Sequence, residues 1–395
     1  MPTPPLTLAL ADQLLRPAFG SRRNPDRVFD RIAVEAGEAK GDRQFVDDFR
    51  SLLGWWAKAE NLTPVGWQSA QVFVRRHLAN RARVRRLIAE RPEIEREPID
   101  KPVFVVGLPR TATTVTHAVL SLSEEHRSPL LWELLAPDLE LPPRQRRKAV
   151  TAGRRMVQGT NLFAPRFRDI HPMAAEGPEE CTFALPHALM PMSQALIPEY
   201  VAWYRERDFV DDYRYLKQVF QVLQYGRPRR RWILKSPLHL GNLDALHTVF
   251  PDATIVWCHR DPVTAVASFC SLIEHGMAVS TRPLDLHGIG ATWFALLSRA
   301  MERGLRARAA LPREALVDAP YSWLAAEPAT GAPKLYAAVG ARWGDAEAAR
   351  LAGAVARPKG TRPHRYDLAR YGLTRAEVEA AFAEYNALRA EVDRA

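Results

Sequence analysis

The sequence predicts an α/β protein: a central parallel sheet flanked by helices, with a helical N-terminal region and helical insertions that form a lid. Three observations predict it. Pro102 is followed by the run Val103-Phe-Val-Val-Gly107, which is short, β-branched and bounded by Pro and Gly, and so suits a strand buried on both faces. Directly after it, Val115, Ala118, Val119 and Leu122 recur at helical spacing. From Trp232 to Cys258 a strand, a helix and a second strand follow one another closely. That is a βαβ unit, hence a parallel pair with a right-handed crossover.

Taken in order, residues 1–100 read as a helical region packed on the core. Apolar positions fall at helical spacing in Phe45–Trp56 and Val72–Ile88, without strand-like alternation. Residues 101–395 form the α/β domain. Within it, 136–225 is a helix-like insertion punctuated by Pro137, Pro142, Pro143, Pro165, Pro172, Pro178 and Pro186. Trp232–Leu234 is a strand, Leu243, Leu246 and Phe250 share a helix face, and Thr254–Cys258 is the next strand. Val263, Val266, Ala267 and Cys270 mark the helix after it. Thr374-x-x-Glu377 is a capping box that opens a helix carrying Val378, Phe382, Tyr385 and Leu388.

Composition narrows the function classes. With 395 residues, 47% hydrophobic and 25% charged, the chain is an ordinary globular protein, neither disordered nor fibrous. Apolar stretches are broken by Pro or charge well before they could cross a membrane. Three cysteines (Cys181, Cys258, Cys270) form no CxxC, which suits buried thiols in a reducing, cytoplasmic setting. The net charge of +10 favours anionic small ligands. No zinc-finger spacing, RNA-binding aromatic signature or helix-turn-helix accompanies it, so nucleic acid is not expected. The basic clusters at Arg81–Arg86, Arg144–Lys148 and Arg227–Arg231 read as solvated faces.

Two motifs carry chemistry. Gly107-Leu-Pro-Arg-Thr-Ala-Thr-Thr114 stands between a buried strand and a helix, where backbone amides and the helix N-terminus cradle a phosphate. This makes the sheet P-loop-type, but the Walker pattern is broken: Ala112 replaces its second Gly and Thr113 replaces its Lys. An ordinary nucleoside triphosphatase is therefore disfavoured, and Arg110, inside the loop, can serve as the cation instead. The second motif follows the strand Thr254–Cys258: His259-Arg260-Asp261-Pro262, with Ser268 two helical turns on, so that Arg260 and Ser268 can converge on one phosphate. The HRD string lacks the downstream Asn and DFG of a protein kinase.

The pair GLPRTATT and HRDPVTAVAS, with LKSPLHL between them, resembles the sulfotransferases that use 3′-phosphoadenosine 5′-phosphosulfate (PAPS). The branch it resembles includes tyrosylprotein sulfotransferases and many bacterial enzymes. The resemblance spans roughly 100–370. It implies that Arg110, Thr111, Ala112, Thr113 and Thr114 hold the 5′ side of the nucleotide, and that Arg260 and Ser268 hold the 3′-phosphate. It further implies that Lys235 stabilises the transition state, that Tyr321 contacts the nucleotide, and that Lys359, in the basic segment 359–366, belongs to a closing loop. The family loop usually has Gly where this chain has Ala112, a departure that matters if the position needs φ > 0.

Sulfuryl transfer builds charge on the leaving oxygen, and fixed cations and N–H donors aimed there stabilise it without a metal. Arg110, Lys235 and the loop amides are such groups. The acceptor hydroxyl needs a base; in the branch this chain resembles it is a Glu shortly after the first helix, which implies Glu133, 23 positions after Arg110, as the first candidate. His239 in LKSPLHL and the adjacent Glu179 and Glu180 compete with it. No His/Asp/Glu cluster has convincing metal spacing. The expected function is transfer from PAPS, leaving adenosine 3′,5′-bisphosphate, to a hydroxyl of a small-molecule or carrier-bound acceptor. The alternatives are a P-loop small-molecule or nucleoside kinase and a non-catalytic nucleotide-binding module. Phe163, Phe167, Met190, Met192, Trp203 and Tyr204 suit either an apolar acceptor cavity in 136–225 or the core of that lid.

Overall fold

In the computed structural model, residues 5–37, 42–166, 171–356 and 367–394 are described. Phe167 and the segment 359–366, including Lys359, lie outside them. Five parallel strands form the sheet: β1 (Val103–Gly107), β2 (His126–Arg127), β3 (Arg231–Lys235), β4 (Thr254–His259) and β5 (Leu316–Pro320). Their spatial order is β2-β3-β1-β4-β5. The chain builds one side of β1 first and then crosses to the other, so the order reverses around β1. Ligands of open α/β sheets bind beyond the carboxyl ends of the strands at such a point. Register brings the key positions level, with Val105 opposite Lys235 and Gly107 opposite Cys258.

The sequence signals for β1, β3 and β4 correspond to strands that are buried throughout except at the first residue of β3 and β4. β2 and β5 had no such signal. β2 is two residues long, and β5 ends in Asp318-Ala-Pro320 at the sheet edge, where proline is tolerated.

Helices α1 (Leu6–Phe19), α2 (Pro25–Ala36), α3 (Arg43–Lys58) and α4 (Pro64–Glu90) make up the N-terminal region. Their ends are written locally. Asn24 caps α2 ahead of Pro25, and Thr63 caps α4 ahead of Pro64, each side chain accepting a hydrogen bond from a first-turn amide. After the phosphate loop comes α5 (Thr113–Leu120), then α6 (Leu131–Leu135) and α7 (Pro143–Phe163). The insertion continues through Pro198–Glu206 and Val210–Gln224, and Pro262–Met277 follows β4.

Alternate residues of β1 feed different cores. Phe104 and Val106 join one large cluster with Phe29, Phe49 and Trp56 of the N-terminal helices and Met192 and Tyr213 of the insertion. Val103 and Val105 face a smaller cluster with Val119 and Tyr336. The N-terminal region thus shares the main core with the sheet. Most of the insertion's large apolar residues belong to that core as well: Met192 is fully buried, and Trp203 stacks on Tyr200 at 5.5 Å. The apolar residues expected to line a cavity mainly hold the insertion down. The terminal helix is interrupted at Phe382, giving Arg375–Ala381 and Ala383–Val392.

Candidate active site

The loop after β1 is tight for reasons visible atom by atom. A Cβ at Gly107 (φ 144°) would stand 2.5 Å from the Cys258 carbonyl oxygen and 3.0 Å from Thr111 Oγ1. Thr111 is fully buried, and its hydroxyl donates to the Leu108 carbonyl at 2.7 Å, closing the loop on itself. Arg110 and Ala112 both occupy the left-handed region, at φ 72° and 69°. Ala112 is also the N-cap of α5. The position that lacks the family's usual glycine is therefore one that needs positive φ, and the alanine is strained there.

The loop and the second motif meet. Arg110 Nε donates to Ser268 Oγ at 3.1 Å, and Arg260 donates to the Arg110 carbonyl at 2.7 Å. The Arg260 guanidinium lies 4.2 Å from the ring centroid of Tyr321, the first residue of the helix after β5. Ser268 is 1% exposed and faces Arg110 instead of open solvent. Asp261 caps the helix that carries it, accepting from the Thr264 amide at 2.8 Å. Tyr385, 125 residues downstream, holds the backbone of Arg260 from behind: its hydroxyl accepts from the Arg260 amide and donates to the Arg260 carbonyl. Nothing near either motif in sequence announces Tyr385.

On the other side of the loop, Lys235 ends β3 and is 1% exposed. Its ammonium donates to Glu180 Oε1 at 2.5 Å and reaches Thr114 Oγ1 at 3.4 Å. Glu179 is buried next to His171, whose Nε2 stands 3.8 Å from its carboxylate. Burial acts to raise the Glu179 pKa, but the His171 contact and Lys235 outweigh it and bring it below the usual carboxylate range. The side-chain ligand atoms of His171, Glu179 and Glu180 lie within 4.8 Å of one another. Lys235 contributes a positive charge directly against Glu180 of this group.

Glu133, the first candidate for the base, is engaged elsewhere. Its Oε2 accepts from the Leu130 amide, capping α6, and its Oε1 accepts from Arg127 at 3.1 Å and Arg227 at 3.4 Å. With both carboxylate oxygens buried and taken by two guanidiniums and a backbone amide, Glu133 ties α6 to Arg127 and Arg227. Arg227 and Arg231, read from sequence as a solvated cluster, are likewise structural: Arg231 donates to the carbonyls of Lys101 and Val339.

His239 is fully buried, with its Nδ1 2.7 Å from the Tyr213 hydroxyl. Burial pushes its pKa down to about 3, which makes it a poor proton acceptor near neutrality. It lines a small cavity with Ser236, His187, Asn242 and Tyr204. The three cysteines are buried and unpaired. Among the described residues, no helix is long and apolar enough to cross a membrane.

The loop after β1, Arg260 after β4 and Lys235 at the end of β3 all stand at the carboxyl ends of the central strands, where a P-loop-type α/β fold places its ligand site. The sequence profile of the sulfotransferase family matches residues 102–345, and the chain belongs to that family, not to the kinases. The crystal structure of sulfotransferase STF9 from Mycobacterium avium matches with a TM-score of 0.80 at 27% identity, covering 91% of this chain and 95% of that one. Sulfotransferase STF1 from Mycobacterium tuberculosis H37Rv matches with 0.78 at 28% identity, covering 91% and 98%. The omega-hydroxy-beta-dihydromenaquinone-9 sulfotransferase Stf3 of Mycobacterium tuberculosis is 27% identical over 188 residues, 43% of this chain and 44% of that protein. The match to that relative therefore spans less than half of its length.

Proposed function

We propose that the protein transfers a sulfuryl group from PAPS to the hydroxyl of a small, largely apolar acceptor, with Glu180 taking the proton. The observation that carries this reading is the Lys235–Glu180 contact of 2.5 Å, set beside Thr114 of the loop. The cradle fits a bisphosphorylated nucleotide. The Gly107–Thr114 loop admits no side chain at its first position, and Arg260, Ser268 and Tyr321 converge on its other side.

The donor supplies an activated sulfuryl group; the chain's own residues supply charge and proton handling. The loop amides and Arg110 would hold the 5′ side, and Arg260 and Ser268 the 3′-phosphate. Tyr321 would stack near the nucleotide, and Thr111, already bonded to Leu108, would keep the loop closed. Lys235 is positioned to shift its ammonium from Glu180 toward charge developing on transferring and leaving oxygens. That shift leaves Glu180 a free carboxylate to accept the hydroxyl proton, and Glu179 with His171 keeps it oriented. Lys235 fills the cation role, so no metal enters the proposed reaction. Three free buried thiols suit a reducing, cytoplasmic compartment. The apolar acceptor class is supported by the relative that acts on a hydroxylated menaquinone.

The test is transfer of labelled sulfuryl from PAPS to a panel of hydroxylated acceptors, including isoprenoid alcohols and hydroxyquinones. Adenosine 3′,5′-bisphosphate should raise the melting temperature well above any effect of ATP with Mg²⁺. Stronger stabilisation by ATP, with phosphorylation of an acceptor, would overturn the proposal.

A further inference from the structure

The six large apolar side chains that stand most exposed among the described residues are not scattered. Leu6, Leu10 and Leu14 are 83%, 58% and 80% exposed, and Val34, Val72 and Leu162 complete the set. All belong to the N-terminal helices or to the end of α7. Leu6, Leu10 and Leu14 recur every four residues, so they form one stripe along α1 while Leu8 turns inward. Thr7 of α1 donates to the Leu162 carbonyl at 3.4 Å, which makes the end of α7 a neighbour of the stripe. Three adjacent solvent-facing leucines on one helix are an unfavourable surface for a protein that stays in water.

Charge says what covers it. Between Pro143 and Arg166 the chain carries Arg144, Arg146, Arg147, Lys148, Arg154, Arg155 and Arg166 and no acidic residue. Apart from Arg154, which pairs with Glu176, these are exposed on or just after α7. Between Leu6 and Arg23 the acidic residue is Asp12, which is already taken by Arg282 and the Val65 amide, against Arg16, Arg22 and Arg23. An apolar stripe framed by cationic helices is the pattern of a surface that lies in the headgroup region of an anionic bilayer.

We infer that α1 and α7 together form a membrane-docking face that seats the protein on an anionic lipid surface. α7 packs on the same segment that presents the acid pair: Gly153 is small where Ala175 and Trp132 press against the helix, and Ala175 leads to Glu179 and Glu180. Docking therefore sets the acceptor side of the site next to the bilayer. The surface stands on its own observations; only its use, drawing an apolar hydroxylated acceptor from the membrane, rests on the proposed function.

The experiment is flotation of the full chain with vesicles of phosphatidylcholine alone or with phosphatidylglycerol added, without donor or acceptor. Binding is expected to the anionic vesicles and to fall at high salt. The triple variant Leu6→Ser, Leu10→Ser, Leu14→Ser should lose roughly 100-fold in partitioning, and Arg146→Glu with Arg147→Glu roughly tenfold or more. Both should keep the bisphosphate-induced melting shift, which certifies folding. If the leucine variant fails that control, the charge reversal and the salt dependence decide alone. Absence of binding by the native chain, or undiminished binding by the folded variants, overturns the inference. So does a dimer that the leucine variant dissociates while vesicle binding persists, because the stripe would then belong to a second copy. None of these outcomes touches transfer to a soluble acceptor, which separates this failure from failure of the chemistry.

Discussion

The two ends of the proposed site, one for the nucleotide and one for the acceptor, are built on different principles. The nucleotide end is made of two loops, each continuous with the strand before it and the helix after it, and the loops join directly through Arg110, Ser268 and Arg260. The acceptor end is assembled from distant pieces. Lys235 meets Glu180 across 55 residues, and Arg207 ties Asp212 to Asp48 of α3, 159 positions away, with His187 closing the same buried network. The nucleotide half is fixed by backbone geometry, whereas the acceptor half depends on long-range buried charge. Buried pairs of that kind contribute little net stability when complete, but breaking one strands its partner.

Mutation should expose this difference, with the largest effects at the acceptor end. Glu180→Gln keeps shape but cannot hold the proton, and turnover should fall by roughly 10²–10⁴ while bisphosphate affinity stays nearly unchanged. Glu133→Gln separates the alternatives: near-native kcat with reduced melting temperature is expected, because its carboxylate serves Arg127, Arg227 and the Leu130 amide. Full loss of kcat in a well-folded Glu133→Gln enzyme would return the base to that residue.

At the nucleotide end, Arg260→Ala should weaken adenosine 3′,5′-bisphosphate binding by about 1.5–3 kcal/mol, the range for a hydrogen bond to a charged group. Calorimetry with adenosine 5′-phosphosulfate, which lacks the 3′-phosphate, should show a much smaller loss. Equal losses for both nucleotides would mean that Arg260 serves the loop through the Arg110 carbonyl and not the phosphate.

Acid should weaken both halves. Burial lowers His117, under the nucleotide loop, and His239, behind Lys235, to about 3. Unfolding restores an ordinary value near 6.5, so the unfolded chain binds more protons between these limits. Stability must then fall as pH drops below about 6.5, by up to about 1.4 kcal/mol per unit for each histidine. Denaturant unfolding between pH 7 and 5 should show this slope, and His239→Gln should remove its share of it.

The smallest expected effect is a gain. Ala112→Gly relieves a left-handed alanine and should stabilise the folded loop by about 1 kcal/mol, read as a higher melting temperature. No gain would mean that the added backbone freedom of glycine in the unfolded chain cancels the relief.

The fold class, three of the five strands and the meeting of the loop after β1 with the segment after β4 were legible in the sequence. A buried parallel strand followed by a glycine turn and a helix is specified within about a dozen residues, and its pattern follows from backbone sterics and burial. Even the strain at Ala112 was foreseeable, since the question was only whether that position takes positive φ. Which carboxylate stands beside Lys235 was not legible. Glu133, Glu179 and Glu180 are alike as residue types, and they differ in what the fold brings to them: Arg227, 94 positions away, joins the nearby Arg127 on the first, and Lys235, 55 positions away, meets the last. Tyr385 behind Arg260 and the two edge strands escaped for the same reason. Local sequence determines conformation wherever covalent geometry and burial act on a few adjacent residues. Proton affinity depends on which charges come within a few ångströms, and only the tertiary structure decides that.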